Sequence, residues 1–241
     1  MKKFFSLENT RLILMFLVVI FLFSFTSNRN GSRNLTKSTV VFIGENTLFV
    51  DRETVNKLLI ENKNNASSIQ KENLALNKLE NILDSNEMIE KSDVFVSVDG
   101  VLKAVVKQKT PVARVCDGNR SFYIGYEGTR MPLSDNFTAR VPLVSGRINE
   151  QNKEKLADLF RVIYDDDFLK KNIIAIEIMP NGSLKMLNRD FNYLIDFGSV
   201  INVERKFKNY KAFFQKAVLD SSLYNYKKID LRFTQQVVCT K

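Results

Sequence analysis

The chain has 241 residues, a formal net charge of +9 and no histidine. Without imidazole there is no Ser-His-Asp triad, no histidine general base and no His-bearing zinc site. The basic balance suits acidic partners or an anionic membrane surface better than nucleic acid, because the N-terminal segment marks the chain for export.

That segment is Leu12 to Phe25, LILMFLVVIFLFSF, and the uncharged run continues to Asn28 between Arg11 and Arg29. As a helix, residues 12–28 span about 26 Å at about 1.5 Å each. A bilayer core of about 30 Å is within reach if both arginines extend to the headgroups. Each Leu, Ile, Val or Phe adds roughly −0.3 to −0.6 kcal/mol to insertion. Residues 1–11 form a short basic head, Lys2, Lys3 and Arg11 against Glu8, expected to stay in the cytoplasm. The competing reading is a cleaved signal peptide, but Ser24-Phe25-Thr26 is a poor small-x-small site and no lipobox cysteine follows the run. The expectation is a single retained anchor over 12–28, with the remainder exported into the periplasm.

Residues 29–38 are polar and read as a tether. Thr39 to Ile43 is β-branched and aromatic, hence a strand, and Gly44-Glu45-Asn46 turns it. Asp51 is placed to cap a helix that carries Val55, Leu58 and Leu59 on one face. Asn62 to Ser68 reads as a loop. A second helix carries Leu76, Leu79, Ile82 and Leu83 and breaks near Asp84-Ser85-Asn86. Val94, Val96 and Val98 alternate before Asp99-Gly100, a type I′ turn signal, and Leu102, Ala104 and Val106 alternate after it. Strand, helix, helix, strand, strand over 39–109 makes a small α+β module.

The second region, 110–241, opens with Pro111 at the first position of a strand, where a missing N–H is tolerated. Ser121 to Ile124 returns. Met131-Pro132-Leu133-Ser134 turns towards Arg140 to Val144, closed by Gly146. Glu150 to Tyr164 is helical, with Leu156, Leu159, Phe160 and Ile163 on one face. Ile173 to Met179 and Leu184 to Leu187 flank Asn181-Gly182, a hairpin signal. Phe191 to Phe197 is a strand. From Val203 to Val218 a helix turns Val203, Phe207, Tyr210 and Phe214 inward, with Arg205, Lys206, Lys208 and Lys211 mostly outward. Ile229 to Val238 reads as the closing strand. The result is an open, mixed sheet with two helices.

Chemistry-bearing clusters are sparse. Asp165-Asp166-Asp167 lacks the alternate spacing and central glycine of an EF-hand and reads as a solvated helix end. The basic helix face suits lipid headgroups or an acidic partner, or is simply solvated. Cys116 and Cys239 are too few for a disulfide framework and read as free, semi-buried thiols, with pairing across the last domain as the alternative. Asn-x-Ser/Thr sequons such as those at Asn34, Asn65, Asn136 and Asn181 are chance-level in so Asn-rich a chain. No P-loop, GxSxG or HExxH occurs. The closing strand lies near the chain end with no further strand after it. At a sheet edge it offers unsatisfied N–H and C=O groups to a partner strand. A covered edge or an internal strand is the alternative.

The arrangement resembles the FtsQ/DivIB family of bacterial division proteins, and its Bacteroidetes-type members in particular. The likeness covers nearly the whole chain and is carried by four segments in order. These are Pro111–Val115, Met131–Ser134, Val141–Gly146 and Ile229–Val238. The resemblance implies a POTRA-like module over 39–109 and an FtsQ-type β domain over 110–241. It implies a non-catalytic scaffold at the division septum, without cofactor, metal or small-molecule substrate. Such proteins recruit FtsB/FtsL-type partners and connect them to the septal peptidoglycan synthase. Carried over, Leu231, Arg232, Phe233, Thr234, Gln235, Gln236, Val237 and Val238 form the partner-binding edge. Two departures stand out: a shorter cytoplasmic head than in many relatives, and a last strand that stops almost at Lys241. The competing functions are an exported cell-wall enzyme using carboxylates such as Asp190 and Asp196, and a POTRA-type transport accessory.

Overall fold

The computed structural model describes residues 7–31, 34–44, 48–60, 75–118 and 120–241. Lys2, Lys3, Arg33, the turn residues Glu45 and Asn46, and the Asn62–Ser68 loop lie outside the described residues. The chain divides into two compact units, Met1–Lys107 and Gln108–Lys241.

The first unit begins with helix α1, Leu7–Gly31. Within it, the 21-residue stretch Asn9–Arg29 contains an 18-residue window of mean hydropathy 2.1, none of it buried, long and apolar enough to cross a membrane. Strand β1 (Lys37–Ile43) runs parallel to β3 (Val101–Gln108), and β2 (Ile89–Val96) completes a three-stranded sheet of order β1-β3-β2. Helices α2 (Arg52–Ile60) and α3 (Leu76–Asp84) precede β2. The expected βααββ order is therefore present. Asp51 caps α2, its Oδ1 accepting the Thr54 N–H at 2.6 Å. Val55, Leu59 and Leu83 pack with Val94, Leu102, Ala104 and Val106, so the apolar stripes of both helices and alternate residues of the strands meet in one core. The β2 edge is closed by α3: the N–H groups of Ser92 and Val94 donate to Asp84 and Glu80 carboxylates at 2.7 and 2.8 Å. Val98 departs from the expected alternation. It sits at the hairpin tip, 87% exposed.

The second unit is built on nine strands: β4 (Pro111–Asp117), β5 (Arg120–Gly125), β6 (Arg130–Met131), β7 (Leu143–Ser145), β8 (Ile173–Ile178), β9 (Leu184–Asn188), β10 (Leu194–Gly198), β11 (Lys228–Asp230) and β12 (Val238–Thr240). Their order is β12-β11-β10-β9-β8-β7-β4-β5-β6. β4, β7 and β8 are mutually parallel, as are β10 and β11. The long connections carry the helices: α4 (Lys153–Asp165) and α5 (Asp167–Asn172) before β8, and α6 (Val203–Leu219) before β11. α5 adds a short helix to the two expected. Asp166 makes it, accepting the N–H groups of Phe168 and Leu169 at 3.1 and 3.0 Å, so the aspartate triple caps a second helix start.

The register aligns one residue per strand across the sheet. Val115, Val144, Ile176, Met186, Ile195, Ile229 and Cys239 stand directly opposite one another in sequence. The first six are at most 1% exposed and share a core with Leu156, Leu159, Phe160 and Ile163 of α4 and Phe207 and Tyr210 of α6. Cys239 packs against the end of that row. Cys116 and Cys239 are both free thiols.

Three hairpins close by one device. Ser97 N–H donates to Val101 C=O while Gly100 N–H returns to Ser97 C=O, and the same pair of bonds recurs at Gly125/Thr129 with Gly128 and at Met179/Ser183 with Gly182. Gly100, Gly128 and Gly182 have φ of 83°, 76° and 78°. A type I′ turn would need positive φ at Asp99 as well, which it lacks. The Asp99-Gly100 turn is thus a three-residue loop with a left-handed glycine, not the two-residue turn expected.

Candidate partner-binding edge

The closing stretch is not one strand. β11 ends at Asp230, whose Oδ1 accepts the Arg232 N–H at 3.0 Å, a local bond that turns the backbone out of the ladder. The chain then loops through Leu231–Val237 and returns as β12, antiparallel to β11. β11 therefore lies inside the sheet and β12 is its last strand. The edge expected over 231–238 is displaced to Val238–Thr240, and of the expected residues only Val238 lies on it.

The bonding of β11 shows which groups of β12 face outward. Leu194 N–H donates to Lys227 C=O and Leu231 N–H to Asp196 C=O, so Ile229 between them turns its backbone groups to β10, while the Lys227 N–H donates to Thr240 C=O on β12. Lys228 and Asp230 then face β12 and meet Thr240 and Val238. Backbone groups alternate sides along a strand, so the N–H and C=O of Cys239 point away from the sheet. Among the described residues no strand lies on that side.

The residues expected at this site divide in three. Leu231 is 1% exposed and belongs to the core. It is a correction to the expected set: its side chain fills the sheet interior and is not on offer to a partner. Val237 also packs against the core. Arg232 grips Asp230, its Nε at 3.0 Å from both carboxylate oxygens, and reaches towards Asp196 at 3.7 Å. Lys228 Nζ meets the same Asp196 at 2.7 Å. The Arg232 hydrogen bonds hold the Asp230 carboxyl below the usual carboxylate range. The stem of Arg232 needs Gly198: a Cβ there would stand 2.7 Å from its Cγ, and φ at Gly198 is 71°. Phe233, Gln235, Gln236 and Val238 are exposed, and Thr234 is half-buried.

Helix α6 fastens this loop. Arg205 donates to the Gln235 side-chain oxygen at 3.3 Å and Asn209 to the Thr234 carbonyl at 3.0 Å. Lys208 is exposed and Lys211 pairs with Asp166. Lys206 overturns the expectation that it faces outward. It is 1% exposed, its ammonium donating to the carbonyls of Phe197 and Ser199 at 2.8 Å each, 4.5 Å from the Phe197 ring centroid. Burial lowers its pKa, and the charges of Asp196 and Asp230 oppose that shift. The spacing carried the signal: Lys206 is three residues from Val203 and four from Tyr210, on the inward face. Its charge concealed it.

The carboxylates of the enzymatic alternative are not brought into one arrangement. Asp196 is engaged by Lys228 and Arg232 on β10, while Asp190 lies exposed in the turn before β10. A different polar group was missed from the sequence: Asn188 and the hydroxyls of Tyr193 and Tyr210, joined at 3.1 and 2.8 Å under α6. Burial raises the pKa of both phenols, keeping them neutral hydrogen-bonding groups.

Residues 110–240 match the family model described as FtsQ/DivIB, C-terminal related. The chain belongs to the FtsQ/DivIB family. The cell division protein FtsQ of Salinibacter ruber is 28% identical over 156 residues, 58% of this chain and 60% of that protein. The chain thus matches about three-fifths of the length of that relative. The major extracytoplasmic domain of the trans isomer of the cell division protein DivIB from Geobacillus stearothermophilus is 14% identical, with a TM-score of 0.33. That likeness covers 47% of this chain and 95% of that one.

Proposed function

We propose that this chain is a non-catalytic, membrane-anchored division scaffold. Its N-terminal head is cytoplasmic, α1 spans the inner membrane, and the two units stand in the periplasm at the septum. It recruits FtsB/FtsL-type partners by strand addition on β12 and links them to the septal peptidoglycan synthase complex. The observation that supports this most is the outward N–H and C=O of Cys239 on the last strand of the sheet. Phe233, exposed in the loop beside it, supplies an apolar anchor.

The test separates backbone from side chain. Cys239→Pro removes the outward N–H at an edge position that tolerates proline, while Cys239→Ala keeps it. In a pull-down with the exported part of an FtsB-type partner, Cys239→Ala is expected to bind as wild type and Cys239→Pro at least tenfold more weakly. Phe233→Lys is expected to weaken capture with an unchanged circular dichroism spectrum. A folded Cys239→Pro variant that binds as wild type overturns strand addition at β12.

A further inference from the structure

The face of the large sheet away from its helices carries its own aligned rows. In one, Leu143, Ala175, Leu187 and Leu194 stand opposite one another on β7, β8, β9 and β10. Two positions along each strand lie Ser145, Glu177, Lys185 and Asp196. Leu143 and Leu187 are 44% and 45% exposed, and Glu177 and Ser145 are also exposed. Glu177 and Lys185 are register partners, yet among the described residues neither makes an ion pair.

We propose that this face packs against the same face of a second copy of the chain. The pattern is self-complementary about a two-fold axis parallel to the strands, between β8 and β9. That operation sets β7 over the partner copy's β10 and β8 over its β9. Leu143 then meets Leu194, and Ala175 meets Leu187. Glu177 faces Lys185 twice, and Ser145 stands opposite Asp196, whose carboxylate stays paired with Lys228. An isologous pair requires a patch that reads as its own complement under one rotation. Here both the apolar row and the charged row do so on the same axis. Aligned sheet-on-sheet packing is an ordinary way for two such faces to meet, at about 10 Å separation. The patch is four strands wide. Contact areas that small belong to the weak, transient class, which suits copies held in one membrane. β12 lies two strands beyond β10 and stays free, so the pairing neither uses nor depends on the strand-addition site.

Charge exchange tests it. The full chain is reconstituted in phosphatidylcholine vesicles, with copies fused at the N-terminus to a donor or an acceptor fluorescent protein. Wild type gives energy transfer that rises with surface density. Glu177→Lys and Lys185→Glu each weaken self-association at least tenfold, since each sets like charges face to face. Mixed together, the two single variants recover transfer, because every contact is again Glu opposite Lys. The double variant recovers it alone. Wild type without transfer above a non-interacting membrane protein overturns the pairing. So does a mixture that transfers no more than either variant by itself. Circular dichroism confirms folding of each exposed-site variant.

Discussion

Adjacent residues of β9 lead different lives. Met186 belongs to the transverse row beneath the helices and is fully buried, while Leu187 belongs to the opposite face and is 45% exposed. The same contrast repeats on β7 between Val144 and Leu143. From β7 to β10 the covered face carries the row Val144, Ile176, Met186 and Ile195, while the other face carries Leu143, Ala175, Leu187 and Leu194 in one row and Ser145, Glu177, Lys185 and Asp196 in the next. A strand buried on both faces would read as a continuous apolar run; these strands alternate because one face packs and the other does not. From β7 to β10, burial is concentrated on the helix-covered side of the sheet, and the other side keeps exposed Leu143, Ser145, Glu177 and Leu187.

The largest expected effect tests that division on β9 itself. Met186→Ala is expected to destabilise the second unit by about 2–5 kcal/mol, whereas Leu187→Ala costs less than about 1 kcal/mol. Denaturant unfolding of the two variants measures both; equal losses break the contrast between faces. A smaller effect is expected along α6. Lys206→Met strips the Phe197 and Ser199 carbonyls of their donor and is expected to cost about 1–3 kcal/mol, while Lys208→Met stays within about 0.5 kcal/mol. The smallest effect is in the ion cluster where Arg232 closes over Asp230. The Asp230 carboxyl is depressed in the folded chain. Its contribution is complete above the unfolded value of about 4 and is lost as pH falls through the lower folded value. Thermal melts of wild type and Asp230→Asn should differ by a constant amount above about pH 5 and converge as acid is added. A gap that widens in acid assigns the stabilisation elsewhere.

Much of both cores was legible because burial imposes a period. Val55 and Leu59 on α2, Leu156, Leu159, Phe160 and Ile163 on α4, and Phe207 and Tyr210 on α6 all lie inward as their spacing requires. The closing stretch was misread because Ile229, Leu231 and Phe233 also alternate. A single side-chain bond from Asp230 to the Arg232 N–H outweighs that alternation and bends the chain back. Periodicity reports which side chains seek the interior and is silent on local bonds that redirect the backbone. Lys206 shows the converse failure. Position placed it inward and residue type placed it outward, and two carbonyls at the end of β10 decided in favour of position. The aspartate triple reads in the sequence as a solvated helix end, and the cap that Asp166 places on α5 depends on where the next helix starts. The aligned rows of the open face were beyond reach, because register belongs to the pairing and no single strand records it.

The two thiols occupy β4 and β12, six strands apart in the sheet. At about 4.8 Å per step they are separated by roughly 29 Å, while a disulfide needs Cα atoms within about 7 Å. The folded unit consequently has no internal route to a disulfide. Any disulfide made by Cys239 in an oxidising compartment joins two molecules, and on a non-reducing gel it registers which neighbour was sitting at the end of the sheet.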